Sequence, residues 1–258
     1  MTTDYIDSLF GLDGRVALVT GGSSGIGRAM AGALARAGAS VVVLARGRPA
    51  LDDAVSELQA AGCAAAGVSA DIADRAELER GTRAVVAAFG EPDILVNCAA
   101  VNLRPPLGAL TTADWDQTVA ANLTAPFLLG QRFGPVMAAR GWGRIINIAS
   151  QQAVRAFGHS GAYGASKGGL VALTRSQSEA WAPSGVCCNA VSPGYVATPL
   201  TAAIASDPAR SAALAARTML GRNGTPADFE GITVFLASRA SDYMTGQLLF
   251  LDGGFSVT

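Results

Sequence analysis

The sequence predicts an α/β fold built on a doubly wound, seven-stranded parallel sheet flanked by helices, and three observations carry that expectation. Short β-branched runs alternate along the whole chain with Ala-rich amphipathic stretches. The runs are apolar throughout instead of alternating apolar with polar, as strands covered by helices on both faces must be. A glycine-rich turn joins the first run to the first helical stretch, where a Rossmann-type domain builds its phosphate loop.

In order, strands are expected at 15–20, 40–44, 64–69, 93–97, 144–149, 186–191 and 247–251, each separated from the next by enough chain for a crossover helix. No Pro/Gly/Ser linker, repeat or low-complexity segment interrupts them, so residues 1–258 read as one domain. The least regular text starts with Pro193-Gly194 after the sixth strand and is punctuated by Pro199 and Pro208. It predicts a substrate lid at about 194–222, over the crevice at the strand ends.

Composition excludes several classes of function. With 19 Lys+Arg against 20 Asp+Glu the net charge is −1, which leaves no global field to hold nucleic acid or an acidic membrane surface. No apolar run reaches the roughly 18 residues of a membrane span, and the opening MTTDYIDSLF has no basic and no apolar leader region. A cytoplasmic protein is expected. Cys63, Cys98, Cys187 and Cys188 make no C-x-x-C pair and none is near the single histidine, His159. No metal site or disulfide framework is therefore expected, and the thiols read as buried and inert.

The first strand runs into TGGSSGIG, residues 20–27. Gly21 suits the tight turn, Gly25 a close backbone approach to a pyrophosphate, and Gly27 helix packing, while the helix N-terminus adds N–H groups and a positive dipole. At the end of the second strand, VVVLARGR carries Ala45 where a carboxylate would select a free ribose 2′-hydroxyl, followed by Arg46 and Arg48. An arginine fork there matches a 2′-phosphate. NADP(H) is the expected cofactor, with NAD(H) admissible. In SADIAD, Asp71 suits an adenine amino group or the N-cap of the next helix.

Reducing a carbonyl also needs a proton donor and a group to orient the substrate oxygen. Ser150 ends the fifth strand, and Tyr163-Gly-Ala-Ser-Lys167 opens a helix thirteen residues later. The i, i+4 spacing brings phenol and ammonium to one face, about 5 to 6 Å apart at Cβ, where the ammonium is expected to lower the phenol pKa. Lys167 is the only lysine of the chain; every other basic residue is arginine. A point charge with three rotatable donors, and not a planar fork, is evidently required there.

The TGxxxGxG spacing, Asn97-Cys98-Ala99-Ala100, AANLTAPF with Asn122, Ser150, the YxxxK pair, Pro193-Gly194 with Thr198, and the closing TGQLLFLDGG together resemble the short-chain dehydrogenase/reductase family over essentially the whole chain. Cys98 and Ala100 depart from the usual Asn-Asn-Ala-Gly. The resemblance implies that Tyr163 is general acid in reduction and base in oxidation, that Ser150 binds the substrate oxygen, and that Lys167 holds the nicotinamide ribose. Asn122 would position a proton-relay water. It also implies a cofactor set of Gly21, Ser23, Ser24, Gly25, Ile26, Gly27, Arg46, Asp71, Ile72, Asn97, Ala99, Tyr163, Lys167, Pro193, Gly194, Val196 and Thr198.

Arg104, Gln152, Arg155, His159 and Tyr195 are the expected substrate contacts. An apolar substrate would leave such groups unpaired, at roughly 1 to 3 kcal/mol each when buried, so a sugar, polyol or sugar acid fits better. The stretch around Ser150 and Tyr163 also resembles family members that act on gluconate-type and polyol substrates. A 3-oxoacyl thioester reductase is the alternative within the family, opposed by Glu179 where arginine would suit an acidic carrier. A catalytically silent NADP(H)-sensing regulator is the alternative of another class. The resemblance further implies a homotetramer or homodimer, with Phe255-Ser256-Val257 buried at an interface and Gly164, Gly168 and Gly169 allowing close packing against a neighbour or the cofactor.

Overall fold

A computed structural model describes residues 2–257. Its strands are β1 (Val16–Thr20), β2 (Ser40–Ala45), β3 (Ala65–Ser69), β4 (Ile94–Asn97), β5 (Gly143–Ile148), β6 (Val186–Pro193) and β7 (Leu248–Leu251). They form one sheet in the order β3-β2-β1-β4-β5-β6-β7, with every neighbouring pair parallel. Successive residues of each strand point to opposite faces. Ala17, Val19, Val41, Val43, Ile94 and Val96 accordingly enter one buried cluster, and Leu18, Val42, Leu44 and Leu95 the other. Two apolar faces explain why the strands show no polar alternation.

The longer helices are α1 (Thr2–Phe10), α2 (Gly25–Arg36), α3 (Arg48–Ala60), α4 (Arg75–Phe89), α5 (Thr112–Val119), α6 (Ala125–Ala139) and α7 (Gly161–Trp181), then the short α8 (Ala202–Ala205), α9 (Pro208–Ala216) and α10 (Glu230–Ala237). Asp74, not Asp71, caps α4, its side chain accepting from Glu77 N. Between α5 and α6 the chain makes a π-turn, Ala120–Thr124, that contains Asn122. Gly169 packs within the subunit: a Cβ there would lie 2.8 Å from Leu123 Cδ2 of that turn. Among the described residues, no helix is long and apolar enough to cross a membrane.

Strand order reverses between β1 and β4. Thr20 pairs with Asn97, Asn97 with Asn147 and Ile148 with Val191, so the carboxyl ends of β1, β4, β5 and β6 lie side by side. The crevice above such a reversal is where doubly wound sheets bind ligands.

Candidate active site

A cleft of about 490 Å³ opens above these strand ends. Its dinucleotide end is built by the turn after β1. Gly21 is left-handed, at φ 70°, and a Cβ on it would lie 2.8 Å from Ala99 Cα and 2.9 Å from Ala99 N; only glycine lets the two loops meet. Thr20 fixes the second loop, its Oγ1 donating to Val96 O and accepting from Cys98 N and Ala99 N. Ser24 caps α2 in an extended conformation without a side-chain bond to the first turn, and Gly25, Ile26 and Gly27 line the cleft. Free N–H groups at a helix start, beside a glycine cradle, fit a pyrophosphate. Gly27 does its work against Gly21, whose carbonyl oxygen would be 2.4 Å from an added Cβ.

Arg46 stands at the end of β2 and pairs across the cleft rim with Asp71, Nη1 to Oδ2 3.5 Å. Both side chains are substantially exposed, so the pair contributes little stability and can yield to a phosphate. Ser23, Ser24, Ile72, Ala99, Pro193, Gly194, Val196 and Thr198 also line the cleft. Asn97 does not: it is buried, with Nδ2 donating to Asn147 Oδ1 at 2.8 Å. All four cysteines are free, but only Cys187 and Cys188 are buried; Cys63 and Cys98 are half-buried, and Cys98 faces the cleft.

β5 delivers Ser150 to the cleft, and the first two turns of α7 deliver Tyr163 and Lys167. Tyr163 is 7% exposed and Lys167 2%. The Ser150 hydroxyl accepts from Gln152 N at 3.2 Å and hydrogen-bonds the Tyr163 phenol. Lys167 Nζ donates to Ile148 O at 2.7 Å and lies 5.7 Å from the Tyr163 ring centre.

Burial raises the Tyr163 pKa, against the lowering effects of the Ser150 hydrogen bond and the Arg104 charge. The net shift is upward: burial outweighs the lowering expected from a neighbouring cation, although the Arg104 guanidinium, 5.9 Å from the ring centre, favours phenolate. Burial lowers the Lys167 pKa to about 8, with Cys98 pulling the other way. Asn122 points away from both groups. Its side chain is spent on the loop after β4, accepting from Val101 N and donating to Val101 O and to Ser166 Oγ, so it shapes the cleft floor and does not line the cleft.

Of the expected substrate contacts, Arg104, Gln152 and Tyr195 line the cleft; Arg155 and His159 are not among its lining residues. His159 is exposed in a loop with φ 59°, and Arg155 instead donates to Phe255 O. Gln152 Oε1 and Tyr195 Oη are buried without a hydrogen-bond partner among the described residues. Phe157, Phe255 and Leu214, the last within the predicted lid, also line the cleft; Phe157 was not singled out in the sequence. Phe255 is buried inside its own subunit, not left for an interface.

A family model described as Enoyl-(Acyl carrier protein) reductase matches residues 21–256. The gluconate 5-dehydrogenase of Gluconobacter oxydans is 39% identical over 97% of this chain and 98% of its own length. The D-threitol dehydrogenase of Mycolicibacterium smegmatis is 39% identical over 98% and 96%. Among solved structures, a gluconate 5-dehydrogenase from Burkholderia cenocepacia in complex with NADP and tartrate superposes with a TM-score of 0.92, at 38% identity over 98% of this chain and 99% of that one.

Proposed function

Because this chain belongs to the short-chain dehydrogenase/reductase family, we propose that it is an NADP(H)-dependent oxidoreductase interconverting a carbonyl and a secondary alcohol on a sugar, polyol or sugar acid. One observation carries the reading. Ser150, Tyr163 and Lys167 converge on the same cleft as the glycine loop and Arg46, so a proton donor and a dinucleotide cradle share one space.

A nicotinamide held in this cleft would supply the hydride in reduction and accept it in oxidation. The chain supplies the rest. Ser150 orients the substrate oxygen, and Tyr163 gives that oxygen its proton. Burial raises the Tyr163 pKa and favours the protonated phenol that an acid needs, while the Ser150 hydrogen bond and the Arg104 charge act toward the phenolate used in the reverse reaction. Lys167, held by the Ile148 carbonyl, is placed to donate to ribose hydroxyls. Arg46, loosely paired with Asp71, is placed to hold a 2′-phosphate. Asn122 holds the Val101 loop in place and so positions the floor beside these groups.

The unpartnered Gln152 Oε1 and Tyr195 Oη support a polyhydroxylated substrate, since an acyl chain would leave both unpaired. Arg104, beside Tyr163, suits a carboxylate or hydroxyl near the reacting carbon. The relatives that act on gluconate or threitol, and the one that binds NADP and tartrate, support the same class. A silent regulator would need a broken Ser/Tyr/Lys set, and the set here is complete. We place the enzyme in the cytoplasm and expect a homotetramer or homodimer; exposed Phe127 on α6 and Phe250 on β7 support only the assembly.

The test is turnover by the purified protein, with NADPH and NADH separately, on keto-sugars, keto-aldonates, polyols and an acetoacetyl thioester. Turnover with NADPH on a keto-sugar or keto-aldonate is expected. Thioester reduction alone would overturn the substrate class, and NADPH binding without turnover on any of them would favour the regulator.

A further inference from the structure

The last turn of the chain folds back into the cleft. Asp252 organises it: Oδ1 accepts from Gly254 N at 3.0 Å, and Oδ2 accepts from Ser256 N at 2.9 Å and from Gln151 Nε2 at 2.8 Å. Gly253 and Gly254, both left-handed at φ 65° and 84°, reverse the backbone. Phe255 thereby enters the substrate end of the cleft, only 2% exposed. Because Gln151 follows Ser150, one carboxylate ties this turn to the loop that carries the oxygen-orienting hydroxyl.

The ring is gripped from several sides. The Arg217 guanidinium, just past α9, lies 4.2 Å from its centre and that of Arg155 5.4 Å, within cation–π range. Phe157 stands 6.2 Å away. A continuous column runs back to the catalytic phenol, because Arg104 lies 5.9 Å from both the Phe157 and the Tyr163 rings. A ring so held is a fixed wall, not an adjustable side chain. The cleft then offers two kinds of surface to a ligand: unpartnered polar atoms on Gln152 and Tyr195, and apolar rings on Phe157 and Phe255. A linear polyhydroxy chain presents both hydroxyls and C–H edges, and suits both.

We propose that Phe255 is the specificity-determining residue that ends the substrate pocket, so that the last turn of the chain limits the length of substrate accepted beyond the reacting carbon. The proposal rests on the polyhydroxylated-substrate reading above. Nothing in the proton-transfer chemistry needs this ring; its effect is confined to the fit of the distal end.

The experiment measures kcat/KM of wild type, Phe255→Ala and Phe255→Leu on linear aldonates and alditols of increasing chain length with NADP+, and on linear 1,2-diketones of increasing length with NADPH. Since removing a buried phenyl can itself unfold a protein, the leucine variant keeps most of the bulk, and NADPH affinity reports on the cofactor half independently. The expected result is a shift in preference toward longer chains of about tenfold or more in Phe255→Ala, the scale of one or more methylenes in a pocket. Phe255→Leu should fall between the two, with NADPH affinity unchanged. A uniform change across all lengths in a variant that still binds NADPH overturns the proposal. If wild type turns over diketones and no polyol or sugar acid, the substrate reading fails, and the role of Phe255 is decided by the diketone series alone.

Discussion

Replacing Lys167 with methionine should abolish turnover and yet relieve the ligand-free fold of a cost. Burial holds the Lys167 pKa at about 8, against 10.5 for a free lysine. At about 1.4 kcal/mol per unit, keeping this ammonium charged in the folded protein at neutral pH costs about 3 kcal/mol. Methionine removes that cost and also the charged hydrogen bond to Ile148 O, which offsets roughly 1.5 to 3 kcal/mol of the gain.

The pH dependence is the cleaner signature. Because the folded pKa lies below the unfolded one, the unfolded chain holds a proton that the folded chain has lost between about pH 8 and pH 10.5. Wild-type stability therefore rises with pH across that window. Urea unfolding of both proteins, without cofactor, should show wild type gaining about 2 kcal/mol relative to Lys167→Met from about pH 7.5 to about pH 10. A difference that stays flat over this range would refute the reasoning.

Two further substitutions separate binding from chemistry. Arg46→Ala should raise the KM for NADPH by about tenfold or more, in line with the loss of a charge-assisted phosphate contact, and leave that for NADH nearly unchanged; steady-state kinetics with both cofactors decide, and equal losses would reject the role of Arg46. Arg104→Met removes the charge that lowers the Tyr163 pKa, so the acid limb of the pH–rate profile for alcohol oxidation should move to higher pH. An unmoved limb would mean that Arg104 does not tune the phenol.

The sheet was legible in the sequence to within a residue or two at most strand ends, because helices cover both faces and the strands read as unbroken apolar runs. The glycine turn after β1 and the Tyr163/Lys167 pair, which line one cleft, were legible for a local reason: one turn and one helix face fix them. What the sequence hid depends on partners distant along the chain. Asn97 and Asn122 look like site residues, but Asn147 and Val101 claim their side chains. Arg155 and His159 are polar loop residues near Ser150, yet one is turned onto the terminal segment and the other into solvent. The apolar ending looked like interface text because nothing local reveals that Asp252 and two left-handed glycines fold Phe255 inward. The acidic opening, which lacks a leader pattern, does not announce the helix α1 either.

The central claim is that Tyr163 moves the proton in a cleft that binds NADP(H), and the most direct measurement is Tyr163→Phe, with kcat and the NADPH dissociation constant determined on one preparation. The account predicts a fall in kcat of about two to four orders of magnitude with NADPH affinity essentially unchanged, since the lost hydroxyl bonds Ser150 and the substitution leaves the glycine turn and Arg46 intact. Turnover retained near the wild-type rate, with cofactor still bound, would contradict it.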